Sequence, residues 1–430
     1  MLTVWGSKQK FCDGLSRRNF LQVGAFGAGL TLADMLRAKA QATTTAANGT
    51  STPTRQKSAI MIYLPGGPSH MDMYDLKPNA PTEYRGAFNP IQTNVNGIQI
   101  SEHMPMQARM FDKLSVIRSI VSVNEHSDSL VMTGYSDRVN RTANHPSFGS
   151  VMSRLAGDTS NVPTFVSLRG LSRGCEPGFL GVAHRAFTPS GPALSNLRLA
   201  SGVDSDRVGD RQGLLSEFDN VRRDIDASGT MDGLDAFTTR AFDMVASGEV
   251  RTALDLNNEA PRSRDRYRGI ENFLTARRLV EAGAGCVTLS YGGWDTHSNN
   301  FPTLQRQLPN LDRGVANIIQ DLHDRGMQDD VIVVVWGEFG RTPRINGGQG
   351  RDHWPSVMSA MVAGGGMRMG QAIGASTARG ERPQDRPVTV PQVLATFYTA
   401  MGIDPGQTFN DGSGRPRYIL EDRQVIRELL

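Results

Sequence analysis

The stretch "VIVVVWGEFGRTPRINGGQGRDHWP", from Val331 to Pro355, decides the fold of this chain. Its first five residues are all β-branched and apolar, a pattern typical of a strand buried on both faces of a parallel sheet. The run then ends in Trp-Gly-Glu. Asp352 comes fourteen residues after Glu338 and is followed at once by His353. A buried strand that brings a carboxylate and then a histidine to one of its ends predicts a functional site at that end.

Similar apolar strand patterns recur along the chain and alternate with helical patterns. They begin at residues 58, 114, 163, 286 and 357, in the segments SAIMIYLPGG, LSVIRSIVS, PTFVSL, CVTLSYGG and VMSAMVAGGG. The clearest helical spacing of apolar residues lies between residues 301 and 326, shortly before the strand that starts at Val331. Strands that alternate with helices predict an α/β fold, with a central, mainly parallel sheet sandwiched between helices.

The composition favours a large folded domain and argues against a nucleic-acid partner. The chain has 430 residues, of which 38% are hydrophobic and 21% charged, so it can bury a sizeable core. Its formal net charge is only +3, and the arginines are spread along the chain instead of forming basic runs. The cysteines, Cys12, Cys175 and Cys286, contain no CxxC metal motif, and the last two allow at most one disulfide.

Residues 1–42 have the layout of an export signal. The box Ser-Arg-Arg-Asn-Phe-Leu at residues 16–21 precedes a weakly hydrophobic run, and small residues follow at Ala38, Ala40 and Ala42. This layout resembles a twin-arginine signal peptide, with an amphipathic N-terminal helix as the alternative. We therefore expect the twin-arginine translocase to deliver the protein to the periplasm or another exported location.

The remainder of the chain divides by composition. Residues 43–57 are polar and of low complexity, which predicts a flexible linker before an α/β domain at residues 58–430. Within that domain, residues 190–268 are polar and contain short helical patterns without a strong strand pattern. We interpret this part as a polar helical insertion or cap.

Histidines and carboxylates follow the predicted strands at their carboxyl ends. Four of the eight histidines fall in these loops, each within two residues of a carboxylate. In parallel sheets such loops meet at one edge, and a divalent cation would explain why charged groups gather there. Mixed histidine and carboxylate ligands suit zinc or manganese, with iron or calcium as alternatives, and one or two ions. The predicted ligands are His70, Asp72, Asp295, His297, Glu338 and His353.

Four blocks of sequence carry a resemblance to a known family. They are GGPSHMDMYD at residues 66–75, GGWDTHSNNF at 292–301, WGEFGRTPRIN at 336–346 and GRDHWP at 350–355. Together they resemble the exported bacterial family known as domain of unknown function 1501, which is similar in fold to the alkaline phosphatase and arylsulfatase superfamily. The resemblance extends from the twin-arginine box to about residue 405, and it implies an alkaline-phosphatase-like fold with one or two metals at the strand ends.

The superfamily's ligand order can be placed on this chain with two departures. The resemblance implies that Asp295 with His297, Glu338 and the later His353 are metal ligands, although Phe339 stands where the superfamily has a histidine. Pro65-Gly66 replaces the expected aspartate after the first strand, so that His70 and Asp72 are the nearest alternatives. The nucleophile position falls on Asn124, whose amide cannot serve.

The neighbouring His126 and Ser127 are therefore the catalytic candidates. Ser127 could be a metal-activated nucleophile, with His126 as a ligand or general acid. Alternatively water attacks, and Ser127 caps a helix. Arg341, Arg344 and Arg351 are predicted to hold the anionic part of a substrate, or else to pair with local carboxylates.

The resemblance implies an exported metal-dependent hydrolase of phosphate or sulfate esters. Its expected partner is an anionic ester, such as a sulfated or phosphorylated glycan. The alternative is a non-catalytic exported metal-binding or assembly protein that retains the fold. The altered nucleophile position favours this alternative. Transfer of a phosphoryl group would use the same site.

Overall fold

An eight-stranded sheet forms the centre of the computed structural model, which describes residues 57–156, 161–190 and 247–430. In chain order the strands are β1 Ser58–Tyr63, β2 Pro90–Gln92, β3 Gln99–Ser101, β4 Leu114–Val121, β5 Phe165–Ser167, β6 Cys286–Ser290, β7 Val331–Trp336, β8 Gly340–Arg341, β9 His353–Trp354, β10 Met358–Gly364, β11 Ala372–Ile373, β12 Ala375–Ser376, β13 Pro383–Asp385, β14 Val388–Thr389, β15 Thr408–Asn410 and β16 Pro416–Tyr418.

The helices lie mainly between these strands. In chain order they are α1 His70–Met73, α2 Thr82–Arg85, α3 Pro105–Arg109, α4 Ser129–Thr133, α5 Asp137–Ala143, α6 Phe148–Ala156, α7 Glu249–Leu254, α8 Pro261–Arg266, α9 Glu271–Glu281, α10 Asn300–Asp324 and α11 Val390–Ala400. Short 3₁₀ turns are also present, at Phe111–Lys113, Arg173–Cys175, Gly178–Leu180, Val182–His184 and Leu256–Asn258. Across the described ranges, no helix is both long enough and apolar enough to cross a lipid bilayer.

The strand order in the central sheet is β11-β4-β10-β7-β1-β6-β5, and β14 also pairs with β4. Every pairing is parallel except the two made by β10, which runs antiparallel to both β7 and β4. A parallel neighbour would need a crossover connection, usually a helix. Residues 337–357, which join β7 to β10, contain the short strands β8 and β9 but no helix. The predicted mainly parallel sheet is confirmed, with β10 as its antiparallel member.

Strand β7 is buried on both faces because it lies between β1 and β10 in the middle of the sheet. Val331, Val333 and Val335 belong to the core on one face, against α9 and α10. Ile332, Val334 and Trp336 face the core on the other side, against α4, α6 and α11. This arrangement explains why the sequence of β7 is apolar throughout instead of alternating. It also gives the molecule its three layers, helices on both sides of one sheet.

The carboxyl ends of β1, β4, β5, β6 and β7 all lie at the same edge of the sheet, and β10 begins there. The parallel register Tyr63–Trp336 brings the ends of β1 and β7 to the same level. The loops in which the sequence places its histidines and carboxylates therefore converge at this edge.

Some of the sequence predictions concern residues that the structure does not describe. The signal at residues 1–42, nearly all of the linker at 43–57 and residues 191–246 of the insertion lie outside the described residues. The described end of the insertion contains α7 and α8, in keeping with its short helical patterns. Cys175 and Cys286 are buried free thiols.

Candidate metal centre

Backbone hydrogen bonds between loops fix the positions of the site residues. Trp294 N donates to Pro65 O over 2.8 Å, which joins the loop after β6 to the loop after β1. Strands β8 and β9 pair Arg341 with His353, so the chain turns back and brings His353 close to the end of β7. His353 comes many residues after β7 in the sequence. This turn brings it to the same edge of the sheet as Glu338, which follows β7 directly.

Three acceptor atoms face one another at the centre of this edge. His297 Nε2 lies 3.0 Å from Asp295 Oδ1 and 3.1 Å from His353 Nε2. His353 Nε2 in turn lies 3.2 Å from the same Asp295 oxygen. Such separations are close to those between neighbouring ligands of one transition-metal ion, since metal–ligand bonds are roughly 2.0–2.2 Å long.

The hydrogen-bond partner of Nδ1 determines which ring nitrogen of His297 and of His353 carries the proton. His297 Nδ1 lies 2.7 Å from Asp352 Oδ1, and His353 Nδ1 lies 3.2 Å from Asn124 Oδ1. Both partners are acceptors, so each Nδ1 donates, and in the neutral rings the lone pairs on Nε2 point at Asp295. Partners of this kind orient metal-binding histidines in many proteins.

His126 extends the cluster toward the end of β7. Its Nε2 lies 3.6 Å from Asp295 Oδ2, and its Nδ1 lies 3.4 Å from Glu338 Oε1. His126, Asp295 and His353 each offer one ligand atom, and these atoms all lie within 4.8 Å of one another. Asp295 therefore faces His297 and His353 with one oxygen and His126 with the other.

Glu338 is a buried carboxylate with only one oxygen satisfied. Its side chain is 3% exposed, and Oε1 accepts a hydrogen bond of 2.8 Å from Gly66 N. Oε2 forms no well-aligned hydrogen bond among the described residues, and the Tyr63 hydroxyl is the neighbouring donor that interacts with this carboxylate. A buried, unpaired carboxylate oxygen is costly, and a cation or a donor would offset that cost. Gly66 is required for this contact, because its φ is +102° and a Cβ atom would approach Asp295 N to 2.4 Å.

Electrostatics keep the central groups in the state that metal binding requires. Burial opposes ionisation of Asp295, but the hydrogen bond from the Arg341 guanidinium outweighs it and lowers the pKa to about 2. The hydrogen bond from His297 lowers the pKa of Asp352. Burial is the main reason that the pKa of His353 is also lowered, which favours the neutral ring. Ionised carboxylates beside neutral imidazoles are the forms that bind metal ions.

The residues present therefore fit a divalent cation. Asp295, His297 and His353 converge on one point, and His126 with Glu338 adds a nitrogen and an oxygen beside it. This mixed set suits zinc, manganese or iron better than calcium, which prefers oxygen ligands. A His/Asp metal site is thus available at the edge where the sequence predicts one.

Two predicted ligands are engaged elsewhere. His70 Nε2 donates to Gly380 O over 2.9 Å, and its ring is buried. Asp72 accepts two hydrogen bonds from Arg351, of 2.8 and 3.0 Å, and one of 2.9 Å from Asn300 Nδ2. Both residues belong to the short buried helix α1, which points their side chains into the protein. Their contacts favour a role in holding the loops together.

The three predicted anion-binding arginines also differ in their surroundings. Arg341 is fully buried and donates to Gly67 O over 2.9 Å, to Arg351 O over 3.0 Å and to Asp295. Arg351 is fully buried as well and bonds only to protein acceptors, chiefly Asp72. Of the three, only Arg344 has an exposed side chain. The geometry of the two buried arginines favours a structural role.

The remaining candidates sit in the loop between β4 and α4. Ser127 Oγ accepts a hydrogen bond of 3.2 Å from Ser129 N, the first residue of α4, but the N-cap residue of that helix is Asp128 and not Ser127, which one interpretation of the sequence predicted. Asn124, in the position that the resemblance assigns to the nucleophile, orients His353 instead. Phe339 packs against the rings of His126 and His353, with centroids 5.2 and 4.5 Å away.

Sequence reasoning assigned no role to Asn124, Asp352 or Phe339. Asp352 could have been found from its position beside His353, since carboxylates often orient metal-binding imidazoles. Asn124 gave no such signal, because its partner His353 is 229 residues away in the sequence.

The family of the chain follows from the match of a family model described as "Protein of unknown function (DUF1501)", which extends over residues 56–430. The chain belongs to the DUF1501 family. The family predicted from the four sequence blocks is confirmed. No curated protein matches this DUF1501 chain.

Several solved structures are similar to this DUF1501 chain at low identity. A phosphonate monoester hydrolase from Silicibacter pomeroyi is 11% identical, with 86% of this chain and 76% of that chain covered and a TM-score of 0.35. The lipoteichoic acid synthase LtaP from Listeria monocytogenes is 11% identical, covering 82% and 74%, with a TM-score of 0.31. The sulfatase PsFucS1 from Pseudoalteromonas sp. is 10% identical, covering 85% and 71%, with a TM-score of 0.34. At these values the likeness carries no conclusion about the chemistry of the DUF1501 chain.

We predict that Glu338→Ala and His297→Ala each remove most of the metal from this DUF1501 protein. Residues that only orient a ligand are worth about 10- to 100-fold in metal affinity, so loss of a ligand is expected to cost at least about 100-fold. Elemental analysis of protein loaded with zinc or manganese measures the effect. His323→Ala, a histidine in the last turn of α10, is the matched control and should retain its metal.

Urea unfolding of each variant separates loss of metal from loss of fold. A folded Glu338→Ala protein with unchanged metal content would remove Glu338 from the site. A folded wild-type protein that takes up no transition metal would contradict the whole cluster.

A second prediction concerns the buried pair of Arg351 and Asp72. Arg351→Met leaves the Asp72 carboxylate buried without its cation, so we expect the free energy of unfolding to fall by about 3–5 kcal/mol. The control Arg268→Met removes an exposed pair with Asp265 and should change it by less than about 1 kcal/mol. Urea denaturation measures both. Wild-type stability in Arg351→Met would argue for the substrate-binding role predicted from the sequence.

Proposed function

We propose that this protein is an exported metal-dependent hydrolase of phosphate or sulfate esters. The observation that carries the proposal is the set of three acceptor atoms, on Asp295, His297 and His353, that face one another within 3.2 Å. The cluster is also open to solvent, since the side chains of His126, Asp295 and His297 are 47–48% exposed. Structural metal sites are usually closed by protein ligands, whereas catalytic sites keep a position open for water or substrate.

Each residue of the cluster has a distinct part in the proposed chemistry. Asp295, His297 and His353 would hold the cation, while Asp352 and Asn124 keep the two rings in the correct orientation. A divalent cation bound there would polarise an ester oxygen and lower the pKa of a nearby water.

His126 is the proposed proton donor beside this cluster, and the ring of Phe339 shields the cluster from water. His126, exposed and beside both Asp295 and Glu338, is placed to hold or donate a proton at Nε2 or Nδ1. The buried ring of Phe339 excludes water from the inner side.

Attack by water is the route that the loop geometry favours. The Ser127 hydroxyl already accepts the Ser129 N–H at the start of α4. Asn124 occupies the position where the resemblance places a nucleophile, and an amide cannot form the covalent intermediate of that mechanism. The proposed reaction therefore proceeds without a covalent enzyme intermediate.

The proposed substrate is an anionic ester, such as a sulfated or phosphorylated glycan, outside the cytoplasm. Export through the twin-arginine translocase to the periplasm or another exported location is part of the proposal and is supported by the signal layout at residues 1–42. Zinc or manganese is the proposed ion, because the donor set contains both nitrogen and oxygen.

A second candidate function is a non-catalytic exported metal-binding or assembly protein. Two observations favour it: Asn124 stands at the nucleophile position, and Arg341 and Arg351 are occupied by protein acceptors. Both candidates require the metal site, and only turnover separates them.

We predict that the metal-loaded protein cleaves a generic aryl phosphate or aryl sulfate, and that a chelator abolishes the rate. The rate should return when zinc or manganese is restored, because the apo cluster retains its acceptors but lacks the Lewis acid. Release of the aryl chromophore measures turnover, with Glu338→Ala as the inactive variant and His323→Ala as the active control. A folded, metal-loaded protein without activity on either class of ester would favour the binding or assembly protein.

For Ser127 we predict that Ser127→Ala and Ser127→Asn both retain turnover within about tenfold of wild type. The asparagine side chain can still accept the Ser129 N–H, whereas loss of an attacking hydroxyl costs on the order of 10⁴-fold or more. Rates are measured on the ester that the wild-type protein cleaves fastest. A loss of that size in both variants would establish Ser127 as the nucleophile and overturn the water route.

A further inference from the structure

Arg169 lies at the same edge of the sheet as the metal centre but has no part in the cluster described above. It follows β5, and its guanidinium carbon lies 4.2 Å from the ring centroid of Tyr63. Its Nη1 lies 2.8 Å from Asp128 Oδ2, and its side chain is 9% exposed. Arg169 is therefore a nearly buried cation held between an aromatic face and a single carboxylate.

Two connections link Arg169 to the metal centre. Tyr63 is the last residue of β1 and pairs in register with Trp336, two residues before Glu338. Asp128 lies two residues after His126, in the loop that brings His126 into the cluster. Arg169 therefore contacts both the last residue of β1 and the loop that carries His126.

The electrostatics of Tyr63 agree with this placement. Burial is the largest cause that raises the pKa of the Tyr63 hydroxyl, and the neighbouring carboxylates of Glu338 and Asp128 raise it further. Arg169 acts on the same hydroxyl in the opposite direction. Tyr63 therefore stays neutral and offers Arg169 an uncharged aromatic face, on which a guanidinium stacks favourably.

The hydrogen-bond donors of Arg169 are largely unused. A guanidinium has five N–H donors, and among the described residues their one acceptor is Asp128, whose Oδ2 lies 2.8 Å from the buried Nη1 without a well-aligned hydrogen bond. The oxygens of Asp128 are shared with Ser172 Oγ and with Gly174 N, the latter at 3.0 Å. The guanidinium groups of Arg341 and Arg351, in contrast, donate hydrogen bonds to several protein acceptors. An anionic ligand would supply acceptors to the donors that Asp128 leaves unused.

We infer that Arg169, stacked on Tyr63, binds the tetrahedral oxyanion of the ester that reaches the metal centre. The planar fork of arginine matches two oxygens of a phosphate or sulfate group, and a nearly dry site strengthens each of these bonds. The inference rests on the proposed function, which supplies the identity of the anion. It assigns to Arg169 the role that the sequence suggests for Arg341, Arg344 and Arg351.

Equilibrium binding of inorganic phosphate and of inorganic sulfate to the metal-loaded full chain tests this inference without requiring turnover. By isothermal titration calorimetry, Arg169→Gln should weaken binding of the preferred ion by about 10- to 100-fold, since a charge-assisted hydrogen bond is lost. Arg169→Lys should recover part of the loss, because it keeps the charge but not the fork. Metal content should remain at the wild-type level in both variants.

Two further variants separate anion binding from a structural role. Arg185→Gln is the matched control, because Arg185 also pairs with one carboxylate, Glu176, at 2.9 Å, but is half exposed. It should bind the ions as the wild type does. Asp128→Asn removes the carboxylate that competes for Arg169, so binding should be retained or strengthened. If the ion pair only holds the loops in place, Asp128→Asn should weaken binding as much as Arg169→Gln does.

The outcomes distinguish this inference from the proposed function. Phosphate or sulfate binding that depends on Arg169 in a protein without esterase activity would support the inference and overturn the hydrolase. Ester hydrolysis with unchanged KM and kcat in Arg169→Gln would overturn the inference and leave the hydrolase intact. Absence of binding of either ion to the wild type, or equal binding by Arg169→Gln, would also overturn it. The ion bound more tightly indicates the ester class.

Discussion

The parallel pairing of β1 with β7 is the constraint on which the site depends. Its register runs from Ser58 opposite Val331 to Tyr63 opposite Trp336, so both strands end at the same level. Because β7 is covered on both faces by apolar side chains, a charged residue can find polar partners only beyond the end of the strand. Gly66 and Glu338 consequently meet there, and the 2.8 Å hydrogen bond between them holds the carboxylate under the cluster.

The acceptor atoms of the cluster repel one another, and neighbouring side chains hold them in place despite that repulsion. Asp295, His297 and His353 bring acceptor atoms to within 3.2 Å, which is unfavourable unless a positive charge lies among them. Arg341 supplies part of that charge by bonding to Asp295 from the protein side. The remaining acceptors are held in place by Asp352 and Asn124, so a metal ion would bind to a preorganised site. A metal that binds only the folded protein would also stabilise it.

Burial divides the arginines near this edge into two kinds. Arg341 and Arg351 are fully buried and join the loops after β1, β6 and β7 by bonding to backbone oxygens and carboxylates. Arg169 is nearly buried, yet its donors have a single carboxylate nearby. Arginine content alone cannot separate these roles, because the same side chain can connect loops or receive an anion. The number of acceptors around each guanidinium distinguishes the two arginines that connect loops from the one proposed to bind an anion.

The sequence by itself determined the elements whose signal is local. The unbroken apolar run of β7 predicted a strand buried on both faces, and the strand-end rule placed Asp295, His297, Glu338 and His353 at one edge. The tertiary structure decided what each loop side chain touches. Asp72, predicted as a ligand, pairs with Arg351, 279 residues away in sequence, and β10, which no helix joins to β7, runs antiparallel to its neighbours. Strand patterns depend on the residue types of adjacent positions, whereas the partners of a loop carboxylate or guanidinium depend on contacts that form only when distant segments fold together.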